Sequence, residues 1–418
     1  MPEQYQLFVG IDWATEFHQV CVINADRQIL EQKAFEHSGS GIAQLVEMLL
    51  KQSDNRPDQV AVSIEMPRGA IVETLVERQF AVFSLNPKQM DRFRDRHTVP
   101  GAKDDSRDAF VMADSLRTDL HLFHRVRLDD QWTIRLRELL RAEEDLQQDS
   151  VRAGNRLRGL LIRYYPQMLK LCPSADEAWF WDLIEMAPSP SKASKLKRSK
   201  VEQLLKSHRI RRLDGEQVLA QLNVAALILA PGAIEAASEH VLLLLPLLRL
   251  LRQQKTDLAK RIQALLEELA DPGQSGEHRD VTILLSLPGV GRIVAATMLA
   301  EASQPIAERD YHALRSYAGA APITRQSGKR RIVVMRQSCN PRLRDALYHW
   351  ARVNMQNDER GKKHYTELRA KGHSHGRALR GMSDRLLAVL IAMLRSKTLY
   401  DPAFSASKAA PEAPSNAA

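Results

Sequence analysis

The sequence is poor in what a covalently stapled or membrane-held protein needs. Of 418 residues only three are cysteine, Cys21, Cys172 and Cys339. They are far apart with no CxxC pair, which excludes a disulfide scaffold or a zinc finger and suits a reducing compartment. No apolar run reaches the ~20 residues of a membrane span. The most hydrophobic stretch, Val241 to Leu251, is broken by Pro246 and Arg249 and reads as a buried helix face. The start, MPEQYQLFVGID, has no basic region followed by an apolar core, so no signal or transit peptide is expected and the chain is expected in the cytoplasm. A large excess of one charge is also missing. Sixty Lys+Arg against 51 Asp+Glu leave +9, too little by itself to demand an anionic partner.

What is present is a folded composition, 44% hydrophobic and 27% charged, at a length that implies roughly two to four domains. Short runs rich in β-branched and aromatic residues, 6–12, 17–24 and 28–35, predict a three-strand meander. Further strands at 59–65 and 80–85 alternate with helices at 41–50 and 70–78, so the first 128 residues read as a mixed α/β domain. From Asp129 to about Tyr165 apolar or small residues recur at spacings of three and four, with polar interruptions. A clearer heptad places Leu244, Leu251, Leu258 and Leu265 at one seam position and Leu248, Lys255, Ile262 and Leu269 at the other. Two long helices of 129–270 are expected to pair as a coiled coil, within one chain or between two. Between them lies an insert, 166–240. Its part from Pro188 to Arg212 holds nine basic residues, among them Lys192, Lys195, Lys197 and Arg198, against one acid, Glu202. Such a run is commonly a solvated face; its density also fits an arm that contacts phosphates and orders on binding. A Gly-rich linker, 271–280, precedes a mostly helical domain at 281–400 with a strand pair around Arg325 to Arg336. The Ala/Pro/Ser-rich end, 405–418, is expected to be disordered.

Four carboxylates could carry chemistry. Asp12 ends the first strand, in VGIDWAT, and Glu65 ends a buried strand, in VSIEMPRG. In AKDDSRDAF, Asp104, Asp105 and Asp108 open a helix, with Asp105 and Asp108 on one face. Each alone has an ordinary reading as a turn former or helix cap. Together, carboxylates held by two strands and one helix suit two Mg²⁺ ions in phosphodiester displacement. LPGVGR, Leu287 to Arg292, reads either as a plain helix–helix turn or as a helix-hairpin-helix turn in which Gly289 and Gly291 bring backbone amides to a phosphate. Arg336, Arg342 and Arg344 would extend a cationic surface.

VGIDWAT, SIEMPRG and NPKQMDRFRDRHTVPGAKDDSRDAF, followed by LLSLPGVGRIVAATMLAEA, LRSYAGAAPITRQSGKR and CNPRLRDALYHWA, resemble the insertion-sequence transposases of family one-ten, the bridge-RNA-guided recombinases. The resemblance covers nearly the whole chain except the insert and the tail. It implies an RNase H-like (RuvC-like) DEDD domain at 1–128, a coiled-coil middle and a C-terminal transposase domain. Lys103, Asp105, Asp108 and Ala109 match the family's Lys and DxxD-Ala pattern, so Asp12, Glu65, Asp105 and Asp108 are the implied tetrad, with Asp104 competing for the third place. The implied nucleophile is Ser327, in PITRQSGKR, where Lys329, Arg330 and Arg331 could receive a phosphate; from its neighbours alone it reads as a β-turn serine. Also implied are two Mg²⁺ per site, double-stranded element-end and target DNA, a structured guide RNA, no membrane, and a dimer or tetramer associated with the nucleoid when active.

Three alternatives remain open at this level. A Holliday-junction-type or RNase H-like nuclease needs the carboxylates but not Ser327. VGIDWAT also resembles a phosphate loop of actin-like ATPases, although no second Gly-rich loop of the DxGGGT kind occurs. A non-catalytic nucleic-acid scaffold would need none of these side chains.

Overall fold

The computed structural model describes residues 5–85, 87–97, 105–270, 279–328 and 330–402. The expected tail at 405–418, most of the 271–280 linker, Lys103, Asp104 and Lys329 lie outside these. The chain divides into two compact units, 1–129 and 130–418.

In the first unit β1 (Leu7–Asp12), β2 (Phe17–Asn24) and β3 (Ile29–Glu36) form the expected antiparallel meander. After α1 (Gly39–Gln52), β4 (Val60–Ile64) lies parallel to β1. After α2 (Ala70–Glu77), β5 (Ala81–Ser84) lies parallel to β4. Then come α3 (Pro87–His97), α4 (Asp105–Asp119) and a short antiparallel β6 (His124–Arg125), giving the sheet order β3-β2-β1-β4-β5-β6. This mixed α/β arrangement is consistent with an RNase H-like domain. β4 is buried along its whole length and β1 nearly so, as expected of central strands covered on both faces. One face carries Val9, Ile11, Val60 and Val62 against Ile42 and Leu45 of α1 and Ile71 and Leu75 of α2. The other carries Phe8, Ala61 and Phe83 against Met90 of α3 and Ala109, Met112 and Leu116 of α4.

Gly10 sets how closely α4 approaches the sheet. A Cβ at Gly10 would lie 1.9 Å from the carbonyl oxygen of Ala109 and 2.7 Å from the amide nitrogen of Ala113. Both are backbone atoms, which no rotamer change can move aside. Gly10→Ala should therefore push α4 off β1 and cost about 3 kcal/mol, at the upper end of overpacking. A urea melt checks this; an unchanged midpoint would mean that helix and strand are not in such contact.

The second unit is largely helical. α5 (Gln131–Tyr164) starts at Asp130, whose side chain accepts from the amides of Trp132 and Thr133. Next come α6 (Ala178–Met186), α7 (Pro190–Ala193), α8 (Arg198–Ser207) and α9 (Gly215–Leu222), then the long α10 (Ala233–Ala270). α5 and α10 pair within the chain and run antiparallel. Leu136 and Leu140 cluster with Leu258, Ile262 and Leu265, whereas Ala153, Leu157 and Leu160 cluster with Leu244, Leu248 and Leu251. The two helices therefore pack against each other within the chain.

The basic segment at 188–212 is packed into a core. Val201, Leu204 and Leu205 of α8 and Ala193 of α7 are buried in the same core as α5, α6 and α10, so the segment is folded and only its polar side is basic. Arg198 pairs with Glu202 and Glu216, and Arg212 with Glu177.

The remainder comprises α11 (Arg279–Ser286), α12 (Arg292–Glu301), α13 (Ser303–Ala307), α14 (Tyr311–Tyr317), the hairpin β7 (Ile323–Ser327) and β8 (Arg330–Val334), then α15 (Pro341–Asn357), α16 (Glu359–Ala370) and α17 (His375–Ser396). Trp350, Leu387, Leu390 and Ile391 form its core with Leu284, Met298 and Leu314. Among the described residues no helix is long and apolar enough to cross a membrane.

Candidate active site

β1 delivers Asp12 at its last residue, Glu65 follows β4 directly, and α4 begins at Asp105. Because β1 and β4 are parallel neighbours with Ile11 opposite Ile64, Asp12 and Glu65 leave the sheet side by side. Asp108 lies one turn into α4 and is buried, 4% exposed, whereas Asp105 on the preceding turn is exposed. The carboxyl of Asp12 is pushed up to about 6, first by burial and then by the charges of Asp108, Asp105 and Glu65, with Arg94 pulling the other way. The charges of Asp108, Asp105 and Glu65 thus reach Asp12.

Arg94 on α3 was not among the predicted residues. Its Nε donates to Asp108 Oδ1 and its Nη2 to Asp108 Oδ2, both at 2.8 Å, and its Nη1 donates to Asp91 at 3.0 Å. This planar two-point pairing satisfies both oxygens of the buried Asp108 side chain. Among the described residues no three His, Cys, Asp or Glu side chains are gathered tightly enough to hold one ion. The donor set, four carboxylates and no sulfur or imidazole, nevertheless fits a hard divalent cation.

A second unpredicted group braces the turn after Asp12. His18 is fully buried, and its Nε2 lies 2.8 Å from His37 Nδ1. The Ala14 amide donates to His18 Nδ1 at 3.4 Å, so Nε2 carries the proton and donates to His37, a tautomer assigned from the network. Burial, then the neighbouring His37, holds the His18 pKa below the usual imidazole value. Trp13 packs against both rings at 6.2 Å.

In the other unit Ser327 ends β7 and is register partner to Arg330 across a turn that includes Gly328 at φ 54°. Ser327, Arg330 and Arg331 are all exposed, and among the described residues nothing hydrogen-bonds the Ser327 hydroxyl. Arg336 is tied back to the carbonyl of Ala321 at 3.3 Å, and Arg342 to Glu144 at 2.8 Å. The LPGVGR turn joins α11 to α12. Gly289 is turned inward: a Cβ there would lie 2.8 Å from the amide nitrogen of Asn354. Trp350 and Asn354 both donate to the Pro288 carbonyl. Gly291, the N-cap of α12, is exposed and faces open space. Of the two glycines only Gly291 is placed where a ligand could reach it.

Comparison with known proteins bears on both regions. The family model for DEDD transposases of the IS110 type, described as "Transposase", matches residues 9–166. The model described as "Transposase IS116/IS110/IS902 family" matches residues 281–366. The "Putative transposase y4uE" of Sinorhizobium fredii is 44% identical over 215 residues, 51% of this chain and 60% of that protein. The "Mini-circle putative transposase for IS117" of Streptomyces coelicolor is 33% identical over 408 residues, 94% of this chain and 95% of that one. The "Insertion element IS116 uncharacterized 44.8 kDa protein" of Streptomyces clavuligerus is 28% identical, covering 95% and 97%. A DEDD match of this kind implies use of a divalent metal and action on DNA. With a relative this similar end to end and both conserved regions matched in order, the chain belongs to the IS110/IS116/IS902 family of transposases.

Proposed function

We propose that the chain is an RNA-guided DNA transposase that cuts and rejoins element-end and target DNA through a Mg²⁺-loaded acidic site and a covalent serine–DNA intermediate. The observation that carries this reading is that Asp12, at the end of β1, feels the charges of Asp108 and Asp105 from α4 and of Glu65 from the end of the neighbouring β4. When bound, two Mg²⁺ ions would polarise the phosphoryl oxygens of the scissile group. Asp12, Glu65, Asp105 and Asp108 would hold those ions; whether Asp104 shares the place of Asp105 falls outside the described residues.

The exposed Ser327 hydroxyl attacks phosphorus, forming an Oγ–P ester as the P–O bond to the neighbouring nucleotide breaks, and the departing DNA oxygen takes up a proton. A hydroxyl of the new partner strand then attacks the same phosphorus and restores the serine. Arg330 and Arg331, with Lys329 between Gly328 and Arg330 in sequence, supply cationic donors for the phosphate. The conserved bond energy distinguishes rejoining from hydrolysis. In this reading 1–128 is the catalytic domain, 281–400 the serine-bearing domain and 129–270 the spacer. The acidic site of one protomer acts with the serine of another, in a dimer or tetramer. The row Leu243, Leu247 and Leu250 along α10, 79%, 42% and 53% exposed, supports self-association, because such a strip is costly to leave in water. The reaction belongs in the bacterial cytoplasm, on the nucleoid.

Incubation with Mg²⁺ and element-end DNA should yield a protein–DNA adduct stable to denaturant. Cleavage with free ends and no adduct would instead make the protein a Holliday-junction-type or RNase H-like nuclease. Guidance has its own test: a discrete structured RNA should copurify and be required for target choice, and full target selectivity after nuclease treatment would overturn it.

A further inference from the structure

Both heptad seams are interrupted by polar residues at one level, Gln147 and Ser150 on α5 and Lys255 on α10. The hydrophobic packing divides there, between the cluster holding Leu140 and Leu258 and the one holding Ala153 and Leu251. The gap is a groove of about 690 Å³. Its lining includes four cations, Arg252, Lys255, Lys260 and Arg292, against one acid, Asp176.

These charges are poorly neutralised by the protein itself. Arg252 lies 5.9 Å from the ring centroid of Trp181, a contact that fixes the guanidinium without cancelling its charge. Lys255 donates to the neutral Oε1 of Gln147. Lys260 is 3.7 Å from Asp257, with 73% of its side chain exposed. Arg292 has no ion pair among the described residues. It is the first residue of α12, whose N-cap, Gly291, gives no side-chain cap, so the positive end of the helix dipole adds to its charge.

Gly154 of α5 lines the same groove, and a Cβ there would meet nothing within 4 Å, so a larger side chain at this place would enter open space. On the opposite wall Arg252, Thr256 and Lys260 follow one another four residues apart, a rise of about 6 Å per step, close to the spacing of successive phosphates on an extended strand.

We propose that this groove binds the phosphodiester backbone of a nucleic-acid strand, running between α5 and α10 toward the N-terminus of α12. A row of cations fits a polymer of phosphates better than a single small anion. The site is separate from the metal and serine chemistry, and its test does not depend on either.

The test measures fluorescence anisotropy of full-length Ser327→Ala protein with a 15-nucleotide single-stranded DNA and an RNA of the same sequence, over a range of salt. Gly154→Glu, which places a carboxylate in the open groove, should weaken binding of at least one by tenfold or more while melting no lower than wild type. Gly154→Ala should leave affinity unchanged. Arg292→Gln, at an exposed and unpaired side chain, should lower the slope of log K against log salt by about 0.7, one phosphate contact. The oligonucleotide more strongly affected identifies the strand as DNA or RNA. If Gly154→Glu and Arg292→Gln leave both affinities within twofold, the groove is not a nucleic-acid site.

Discussion

Replacing Ser327 by alanine abolishes the protein–DNA adduct and lowers strand exchange by at least about 10³, while DNA affinity stays within roughly twofold. The size follows from removing a nucleophile rather than a contact, since the steps that depend on it fail together. The hairpin favours this result structurally. β7 and β8 are paired from Ile323 with Val334 to Ser327 with Arg330, and most of their residues are exposed. An isolated two-stranded ribbon is marginally stable, and this one leaves Ile332 and Val333 39% and 57% exposed, so its stability alone would not favour keeping it. Its tip offers a hydroxyl without a hydrogen-bond partner among the described residues, with Arg330 as its register partner and Arg331 next in the strand. A serine hydroxyl is a weak nucleophile at neutral pH, and none of the described residues hydrogen-bonds this one, so activation must be assembled with the substrate. The measurement is a denaturing gel of labelled element-end DNA with an affinity assay beside it. Persistent adduct in Ser327→Ala removes the serine from the mechanism; loss of adduct with a parallel loss of affinity makes it a binding residue.

Much of this was legible in the sequence, for identifiable reasons. β1 and β4 are continuous apolar runs because both faces are covered, and a carboxylate directly after such a run, as at Asp12 and Glu65, is placed by the strand itself. Asp105 and Asp108 announce a shared helix face by their spacing. Their different burial does not follow from spacing, because it depends on how α4 lies on β1, and Gly10 governs that approach. Arg94 was missed for a related reason: MDRFRDR shows several similar cations, and only the packing of α3 beside α4 selects the one that reaches Asp108. The basic stretch from Lys192 to Arg212 was legible as charge but not as a folded segment. Its charge density drew attention from Val201, Leu204 and Leu205, whose spacing of three and one marks an apolar helix face. The polar breaks in the two heptads were visible separately, but their meeting at one level requires the antiparallel register of α5 and α10.

Divalent metal should stabilise the protein, and the effect should grow with pH. Between pH 3.8 and about 6 the folded protein retains on Asp12 a proton that the unfolded chain has released. Without metal, this group's contribution to stability is therefore greatest below 3.8 and is lost as pH rises through about 6. Above that range the ionised Asp12 is held within reach of the charges of Asp108, Asp105 and Glu65, offset in part by Arg94. A divalent cation reverses the balance, because it binds the ionised forms that are otherwise unfavourable. At Mg²⁺ about 100-fold above its Kd the folded state gains about 2.7 kcal/mol, roughly 5–10 °C in melting temperature for a unit of this size. At pH 7.5 a shift of that order is expected, falling to about half at pH 5, where Asp12 is mostly protonated and the apparent Kd is about tenfold weaker. Asp12→Asn should remove most of the shift while raising the metal-free melting temperature, because it deletes one of the repelling charges. Glu65→Ala should likewise abolish the shift, and both variants should lose at least about 10³ in strand exchange if the metals carry the displacement. The separation of effects is diagnostic. A structural acidic cluster would show stabilisation on Asp12→Asn with exchange retained, whereas a metal site that drives the reaction shows a more stable protein that no longer recombines DNA.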